Sequence, residues 1–192
     1  DQLPAFTWRG RKNPAKCAVI NYITHHDGFT LMDLVSYEER HNEANGEGGQ
    51  DGPAYNFSWN CGVEGPSRKK KIQELRLQQM KNACLLLLFS QGTPMILAGD
   101  EFGNSQRGNN NPYCQDNAIS WLEWNGLKKQ TELFEFVKAA IAFRKTHPLL
   151  HRAKELQGTS GSVLGYPDVS CHGQQAWYGN FETTSRHFGM MY

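Results

Sequence analysis

The sequence predicts an α/β fold in which a helix joins two parallel strands and a short antiparallel β region follows. Two short runs, at residues 18–24 and 94–98, are nearly continuously apolar, as strands covered on both faces are. The chain between them carries apolar residues at helical spacing. Strand, helix and strand in this order form a βαβ unit, whose two strands should lie parallel.

The first predicted strand ends abruptly in polar residues. His26 and Asp27 follow it, and Gly28 then turns the backbone. Residues 38–66 are rich in Gly, Asn and Glu, which indicates a long loop. Loops of this length inside a compact domain are usually functional or disordered.

Helical spacing returns at Arg68, and Gly92 with Pro94 ends the helix. One face of this helix carries Met80, Ala83, Cys84, Leu87 and Leu88. A further apolar set on its other faces predicts a deeply buried helix end: Leu85, Leu86 and Phe89. The basic run at 69–71 lies at the helix start and is predicted to be a solvated face.

A second polar loop covers residues 102–117, and another helix fits residues 131–145, with Pro148 just beyond it. One side of that helix carries Leu133, Phe134, Val137, Ala140, Ile141 and Arg144. From Gly158 onward, glycine separates short apolar runs that predict antiparallel strands. These runs lie at 162–166, 176–178 and 188–192.

Composition excludes several classes of protein. The 192 residues include 20 basic and 19 acidic side chains, so no global field attracts nucleic acid or a membrane surface. The longest apolar run, at 83–89, is too short to span a bilayer. Five scattered cysteines without a Cys-x-x-Cys spacing favour a reducing, cytoplasmic compartment over a disulfide framework or a zinc ribbon.

The motifs of several common enzyme classes are missing. No glycine-rich phosphate loop follows a strand, and there is no Gly-x-Ser-x-Gly or His-Glu-x-x-His sequence. We therefore expect no cofactor. The chain opens on Asp1 rather than Met, which indicates an excised part of a longer protein.

The His26–Asp27 pair is the first candidate for chemistry. An ionised aspartate beside a histidine at a strand end can stabilise a cation-like centre or hold a hydroxyl-rich ligand. Alternatively, Asp27 caps the turn and His26 packs beneath it. Adjacent strand residues point to opposite faces, so His25 and His26 are not expected to bind one metal ion, and His41 supplies no regular third ligand.

Further candidates lie at the second strand end and in the long loops. Asp100 and Glu101 are placed either for function or for anchoring a loop. Trp59 and Tyr113 bring aromatic faces into polar loops, where amide and carboxylate neighbours suit a sugar. The alternative is that each ring fixes its own loop to the core.

Four longer motifs follow one another along the chain. The first is Ile-Thr-His-His-Asp-Gly-Phe-Thr-Leu at 23–31. The second joins His-Asn-Glu-Ala-Asn-Gly-Glu at 41–47 with Ser-Trp-Asn-Cys-Gly-Val-Glu-Gly at 58–65. The others are Gln-Gly-Thr-Pro-Met-Ile-Leu-Ala-Gly-Asp-Glu-Phe-Gly at 91–103 and Asn-Pro-Tyr-Cys-Gln-Asp-Asn at 111–117. In this order, the four motifs resemble the isoamylase-type glycogen debranching enzymes, which belong to the α-amylase family of glycoside hydrolases.

The resemblance implies an incomplete (β/α)8 barrel. Residues 18–24 would be its seventh strand, 94–98 its eighth strand and 131–145 its last helix. Residues 1–150 would then form the C-terminal part of the barrel, and residues 151–192 would begin a C-terminal β-sandwich.

The resemblance also implies the site residues. Asp27 would be the third catalytic carboxylate, which binds sugar hydroxyls and favours the distorted transition state, and His26 would hydrogen-bond the sugar at the cleavage subsite. Trp59, Tyr113 and Asp116 would contact substrate from the loops. We expect no metal ion at this site.

The implied activity is cleavage of α-1,6 branch points in glycogen or amylopectin-type α-glucans. A retaining glycosidase needs a nucleophile and a general acid about 5 Å apart. In the family these come from strands four and five, so we expect this chain alone to be inactive and its partner to be the missing N-terminal part of the barrel. Two alternatives stay open: a non-catalytic α-glucan binding module, and a structural fragment that associates with such a partner.

Overall fold

The computed structural model describes residues 19–152, 156–159, 165–182 and 184–192. Four helices and four short strands occur within these ranges, with single 3-10 turns between them. The first half contains β1 (Ile20–Asn21), α1 (Leu31–Leu34), α2 (Lys70–Phe89) and β2 (Thr93–Pro94). The second half contains α3 (Gly126–Lys129), α4 (Thr131–Thr146), β3 (Ser170–His172) and β4 (Gly189–Met191).

The predicted βαβ unit is confirmed, because β1 and β2 pair in parallel and α2 lies between them in the chain. The strands are much shorter than predicted, with two residues each. The expectation that the first strand is covered on both faces is wrong, since Ile20 is 61% exposed. Among the described residues β1 has one neighbouring strand, so its other hydrogen-bonding edge is unpaired.

Helix α2 begins at Lys70, two residues later than predicted, and its basic start is exposed as expected. Its buried residues are Arg76, Met80, Cys84, Leu87 and Leu88. The prediction that the whole helix end is buried is wrong, because Leu86 is 52% exposed. Only the face of α2 that packs against α1 and α4 is covered.

Helix α4 confirms the predicted helix at 131–145 and extends it by one residue. Its buried residues follow the helical repeat: Leu133, Val137, Ala140 and Arg144. Leu133 and Val137 join one apolar cluster with residues of α1 and α2. The other members of this cluster are Leu31, Val35, Cys61, Met80 and Cys84.

Arg144 holds the C-terminal end of α2. Its guanidinium donates hydrogen bonds to the carbonyl oxygens of Leu88 (2.5 Å), Ser90 (2.8 Å) and Gly92 (2.6 Å). The last carbonyl groups of a helix have no partner inside the helix, so a buried donor from elsewhere is needed. Arg144 therefore packs α4 against α2 and fixes the chain where it enters β2.

Among the described residues after residue 150, β3 and β4 pair antiparallel, in agreement with the predicted pairing direction. Strand β4 lies within the predicted run at 188–192, whereas β3 was not predicted. The predicted strand at 176–178 is wrong, since these residues lie in a turn. Residues 162–164 of the run at 162–166, and residue 18 of the first predicted strand, lie outside the described residues. The domain boundary near residue 150 stays a prediction.

In the described part of the chain, no helix is both long and apolar enough to cross a membrane. The four cysteines within it are free thiols: Cys61, Cys84, Cys114 and Cys171. Cys84 is a buried core residue, as predicted. Cys17 lies outside the described residues.

We expect Arg144→Ala to lower the free energy of unfolding by about 3 kcal/mol, because three buried carbonyl groups lose a charged donor. Urea unfolding followed by circular dichroism measures the change. Lys145→Ala, at the exposed neighbouring position, is the matched control and should stay within about 0.5 kcal/mol of the parent. Equal unfolding midpoints for both variants would contradict the role given to Arg144.

Candidate functional site

His26 and Asp27 form an exposed pair just after β1. Nε2 of His26 lies 3.4 Å from Oδ2 of Asp27, and the two side chains are 84% and 65% exposed. The alternative in which His26 packs beneath a capped turn is therefore wrong. The N-cap of the following helix, α1, is Thr30, whose hydroxyl accepts a hydrogen bond from the backbone N–H of Asp33.

The segment that carries this pair is fixed at both ends by Asp100. Oδ1 of Asp100 accepts a hydrogen bond from the backbone N–H of Leu31 at 2.8 Å, and Oδ2 accepts one from the Thr24 hydroxyl. Glu101 acts locally, since its carboxylate accepts from the backbone N–H of Gly99. The loop-anchoring alternative for these two acids is the one that the structure shows.

Asp100 is almost fully buried, and burial raises the pKa of its carboxyl from 3.8 to about 6. The hydrogen bonds from Thr24 and Leu31 act in the opposite direction, because they stabilise the charged form. The cost of removing the charge from water exceeds this gain. Asp100 is therefore a structural acid whose charge is disfavoured in the folded chain.

His25 and His26 do not alternate as strand residues do, because β1 ends at Asn21. His25, His26 and Asp27 lie beyond β1, and their ligand atoms are within 4.8 Å of one another. However, Nδ1 of His25 accepts a hydrogen bond from the backbone N–H of Asp27, so the proton of neutral His25 lies on Nε2. In this arrangement a metal ion at Nε2 would require the other tautomer and the loss of this hydrogen bond.

The predicted loop residues are exposed. Trp59 is half exposed and Tyr113 is 77% exposed, so neither ring is fixed in the core. The carboxylate of Asp116 accepts a hydrogen bond from the indole N–H of Trp121 at 3.0 Å. Within the described ranges, no hydrogen bond, ion pair or ring contact joins these three residues to His26 or Asp27.

An amide clamp holds the two long loops together. It consists of Asn42, Asn45, Asn109, Asn110 and Asn111. The side chain of Asn42 donates to Oδ1 of Asn110 at 2.8 Å, and the backbone N–H of Asn110 donates back to Oδ1 of Asn42 at 3.0 Å. Both residues are fully buried. The sequence analysis missed this clamp, although the run of three asparagines at 109–111 was a visible signal.

The amide of Asn110 also reaches the far side of the first loop. It donates to the carbonyl oxygen of Pro53 at 2.8 Å and to Oδ1 of Asn56 at 2.6 Å. Gly52, at φ +76°, packs so closely against this amide that a Cβ atom there would collide with it. The loops that carry Trp59 and Tyr113 are therefore one ordered unit.

Two further buried ions organise the surroundings and were also missed. Asp33 accepts hydrogen bonds from the hydroxyl of Ser105 (2.5 Å) and the backbone N–H of Gln106 (2.7 Å), and burial raises its pKa. The guanidinium of Arg76 donates to the carbonyl groups of residues 60, 63 and 65. Each ion was hidden among apolar neighbours at helical spacing, so only its buried position shows its role.

Curated relatives align with most of this chain. The glycogen operon protein GlgX homolog of Mycobacterium tuberculosis is 52% identical over 141 residues, which cover 73% of this chain and 20% of the relative. The glycogen debranching enzyme of Erwinia tasmaniensis is 51% identical over 146 residues, or 76% and 22% of the two chains. Isoamylase 3, chloroplastic, of Oryza sativa subsp. japonica is 49% identical over 138 residues, or 71% and 18%.

The chain thus spans about a fifth of the length of these curated relatives. No family model matches it. Among solved structures, pullulanase type I from Bacillus subtilis str. 168, complexed with maltose, superposes with a TM-score of 0.53 at 20% identity. The superposition covers 83% of this chain and 17% of the pullulanase, and it shows a shared fold over that part.

We expect Asp100→Asn to remove a pH dependence of stability. Because the folded chain binds this proton more tightly than the unfolded chain, the contribution of Asp100 is fully present below about pH 4 and is lost as the pH rises through about 6. The full pKa shift corresponds to about 3 kcal/mol, of which about 2 kcal/mol is lost between pH 4.5 and pH 7.5. Urea unfolding at pH 4.5 and pH 7.5 measures it.

The asparagine variant should show a smaller drop in stability between these two pH values than the parent. Glu74→Gln, at an exposed position of α2, is the control and should keep the parent's pH dependence. An unchanged drop in Asp100→Asn would show that another group is responsible.

We expect Asn110→Ala to loosen both long loops, because the carbonyl of Pro53 and the amide oxygen of Asn56 lose their donor. The local opening free energy should fall by about 2 kcal/mol. Hydrogen exchange followed by mass spectrometry should then be faster in peptides that cover 50–56 and 108–113. Asn82→Ala, at an exposed position of α2, should leave the exchange rates of these peptides unchanged. Exchange at the parent's rate in Asn110→Ala as well would argue against the clamp.

Proposed function

Because this chain belongs to the isoamylase-type glycogen debranching enzymes of the α-amylase family, we propose that it forms part of the active-site cleft of a glycoside hydrolase. The proposed reaction is the cleavage, with retention of configuration, of α-1,6 branch points in glycogen or amylopectin-type α-glucans. The observation that carries the proposal is the exposed His26–Asp27 pair in the segment after β1, within the motif at 23–31 that follows the proposed seventh strand.

Asp27 has the chemistry that this role requires. Its carboxylate pairs with His26, and its side chain is 65% exposed, so it is open to accept hydrogen bonds from sugar hydroxyl groups. A glycosidase transition state resembles an oxocarbenium ion, which a nearby negative charge stabilises. We assign Asp27 to this supporting role, and His26 to a hydrogen bond with the sugar at the cleavage subsite.

The two clamped loops supply the rest of the proposed substrate surface. Trp59 and Tyr113 offer exposed aromatic faces, on which the C–H faces of a sugar can stack. Asp116 offers a carboxylate beside the indole of Trp121. Because the amide clamp ties both loops together, these groups keep a defined geometry before a glucan binds.

The same proposal gives the chain its place in a larger fold. In it, β1 and β2 are the seventh and eighth strands of a (β/α)8 barrel, α4 is the last barrel helix and the β3–β4 pair begins the β-sandwich. The parallel pairing of β1 with β2 and the unpaired second edge of β1 among the described residues support this placement, because a barrel strand has a neighbour on each side. The remaining strands would belong to the partner part of the barrel.

The nucleophile and the general acid have no counterpart in the motifs of this chain. Two carboxyl groups about 5 Å apart must flank the bond in a retaining enzyme. Asp27 cannot perform both roles, so we propose that the chain binds the substrate and requires the partner part of the barrel for turnover.

A non-catalytic α-glucan binding module is the second candidate. The exposed aromatic rings and the open His26–Asp27 pair favour it, since these groups suffice to bind a sugar without cleaving it. The two candidates make the same prediction for this chain alone and differ once the partner part is added. Restored hydrolysis in the mixture would favour the enzyme.

We expect the purified chain to bind maltotetraose without releasing linear glucans from glycogen. In a titration followed by the NMR signals of the His26 ring, Asp27→Asn should bind at least about tenfold more weakly, because a charged hydrogen-bond acceptor is lost. Glu135→Gln, on the exposed face of α4, should bind like the parent. Unchanged affinity in Asp27→Asn would contradict the assigned site. Release of linear glucans by the chain alone would contradict the proposal that it lacks the nucleophile and the general acid.

A further inference from the structure

Four positions in the chain place a glycine directly after an aspartate or an asparagine: Asp27–Gly28, Asn45–Gly46, Asp51–Gly52 and Asn125–Gly126. In such a pair the backbone nitrogen of the glycine can attack the side-chain carbonyl carbon of the preceding residue, because glycine has no Cβ atom to obstruct the approach. The attack requires a glycine N–H without another partner and a side chain that is free to turn. These two requirements separate the four pairs.

Asp27–Gly28 meets both requirements. The N–H of Gly28 donates no hydrogen bond to any described residue, whereas the N–H of Asp27 before it is bonded to Nδ1 of His25 at 3.1 Å. A Cβ atom built on Gly28 would have no atom within 4 Å, so open space surrounds the backbone here. The side chains of Asp27 and its partner His26 are both exposed. The carboxyl carbon and the attacking nitrogen are therefore both available.

The second Asp-Gly pair is held by the amide clamp. Oδ2 of Asp51 accepts hydrogen bonds from the side-chain amides of Asn45 at 2.7 Å and Asn111 at 2.8 Å. Gly52 is packed against the amide of Asn110, with no room for a Cβ atom. This carboxylate must leave the clamp before it can react.

The two Asn-Gly pairs are also held. Asn45 is part of the clamp, and its Oδ1 accepts from the side-chain amide of Asn109 at 2.7 Å. Gly126 begins α3, and its N–H donates to the carbonyl oxygen of Glu123 at 2.8 Å. An N–H that is committed to a hydrogen bond cannot lose its proton and attack without breaking that bond.

We propose that Asp27–Gly28 is a site of spontaneous isomerisation of aspartate to isoaspartate. The nitrogen of Gly28 bonds to Cγ of Asp27, and the amide proton leaves with the carboxyl OH group as one water molecule, which gives a five-membered succinimide ring. A second water molecule then opens the ring. Attack at Cγ restores aspartate. Attack at the backbone carbonyl carbon gives isoaspartate, whose main chain passes through Cβ and Cγ.

The consequence for sugar binding rests on the proposed function. Isoaspartate lengthens the main chain by one methylene and carries its carboxylate directly on Cα, so the charged group moves by about 1.5 Å, one bond length. Asp100 fixes Thr24 and Leu31 on either side, so the ends of the segment cannot shift to absorb the added atom. A displacement of about 1 Å can cost an active site about a hundredfold in rate. The chain thus loses its proposed supporting acid with age.

The test is storage of the purified chain in 18O-labelled water at neutral pH for several weeks, followed by peptide mass spectrometry. Each ring opening adds one 18O atom, and electron-transfer fragmentation distinguishes isoaspartate from aspartate. We expect isoaspartate at residue 27 to accumulate at least about tenfold faster than at residue 51, because Asp51 reacts only after the clamp opens locally. In concentrated urea, which removes the folded geometry, the two sites should react at similar rates.

Asp27→Glu is the matched variant. It keeps a carboxylate at this position but needs a six-membered ring, which closes far more slowly, so 18O incorporation at residue 27 should fall to the background. Isoaspartate that forms in the folded chain no faster at residue 27 than at residue 51 would overturn the proposal. Undiminished 18O incorporation at residue 27 in Asp27→Glu would also overturn it.

Binding of maltotetraose by the stored chain separates this proposal from the proposed function. The binding capacity should fall in proportion to the isoaspartate at residue 27, while stored Asp27→Glu should keep the affinity that it has when fresh. Isoaspartate without a loss of binding would uphold the modification site and contradict the role given to Asp27. Intact binding without isoaspartate would overturn the modification site while the proposed function stands.

Discussion

The candidate site depends on the hydrogen bonds that the buried side chain of Asp100 accepts. It accepts from the Thr24 hydroxyl at the end of the first strand and from the backbone N–H of Leu31 at the start of α1. The segment between these two anchors has no regular secondary structure to hold it, and it carries His26 and Asp27. Burial makes the charged form of Asp100 unfavourable, so the chain gives up some stability for the geometry of this segment.

Buried side chains that bond to backbone groups recur throughout the molecule. Arg144 donates to three carbonyl groups at the end of α2, Arg76 donates to carbonyl groups of the first long loop, and Asn42 and Asn110 join the two loops. Long loops have many backbone polar groups that no helix or sheet satisfies. Planar guanidinium and amide groups satisfy several of them at once, which explains why these loops are ordered although they lack secondary structure.

The sequence by itself determined the helix at 131–145 and the parallel βαβ unit, because hydrophobic periodicity reports which face of an element is buried. Its motifs also determined the exposed His26–Asp27 pair as a site candidate. Only the tertiary structure decided that Asp100 anchors rather than reacts, that Arg144 caps a neighbouring helix, and that Leu86 and Ile20 face outward. The role of a polar residue depends on partners up to about seventy positions away, as between Leu31 and Asp100. The burial of an apolar residue depends on which elements pack against it. A local sequence pattern contains neither the distant partner of a polar residue nor the packing neighbour of an apolar one.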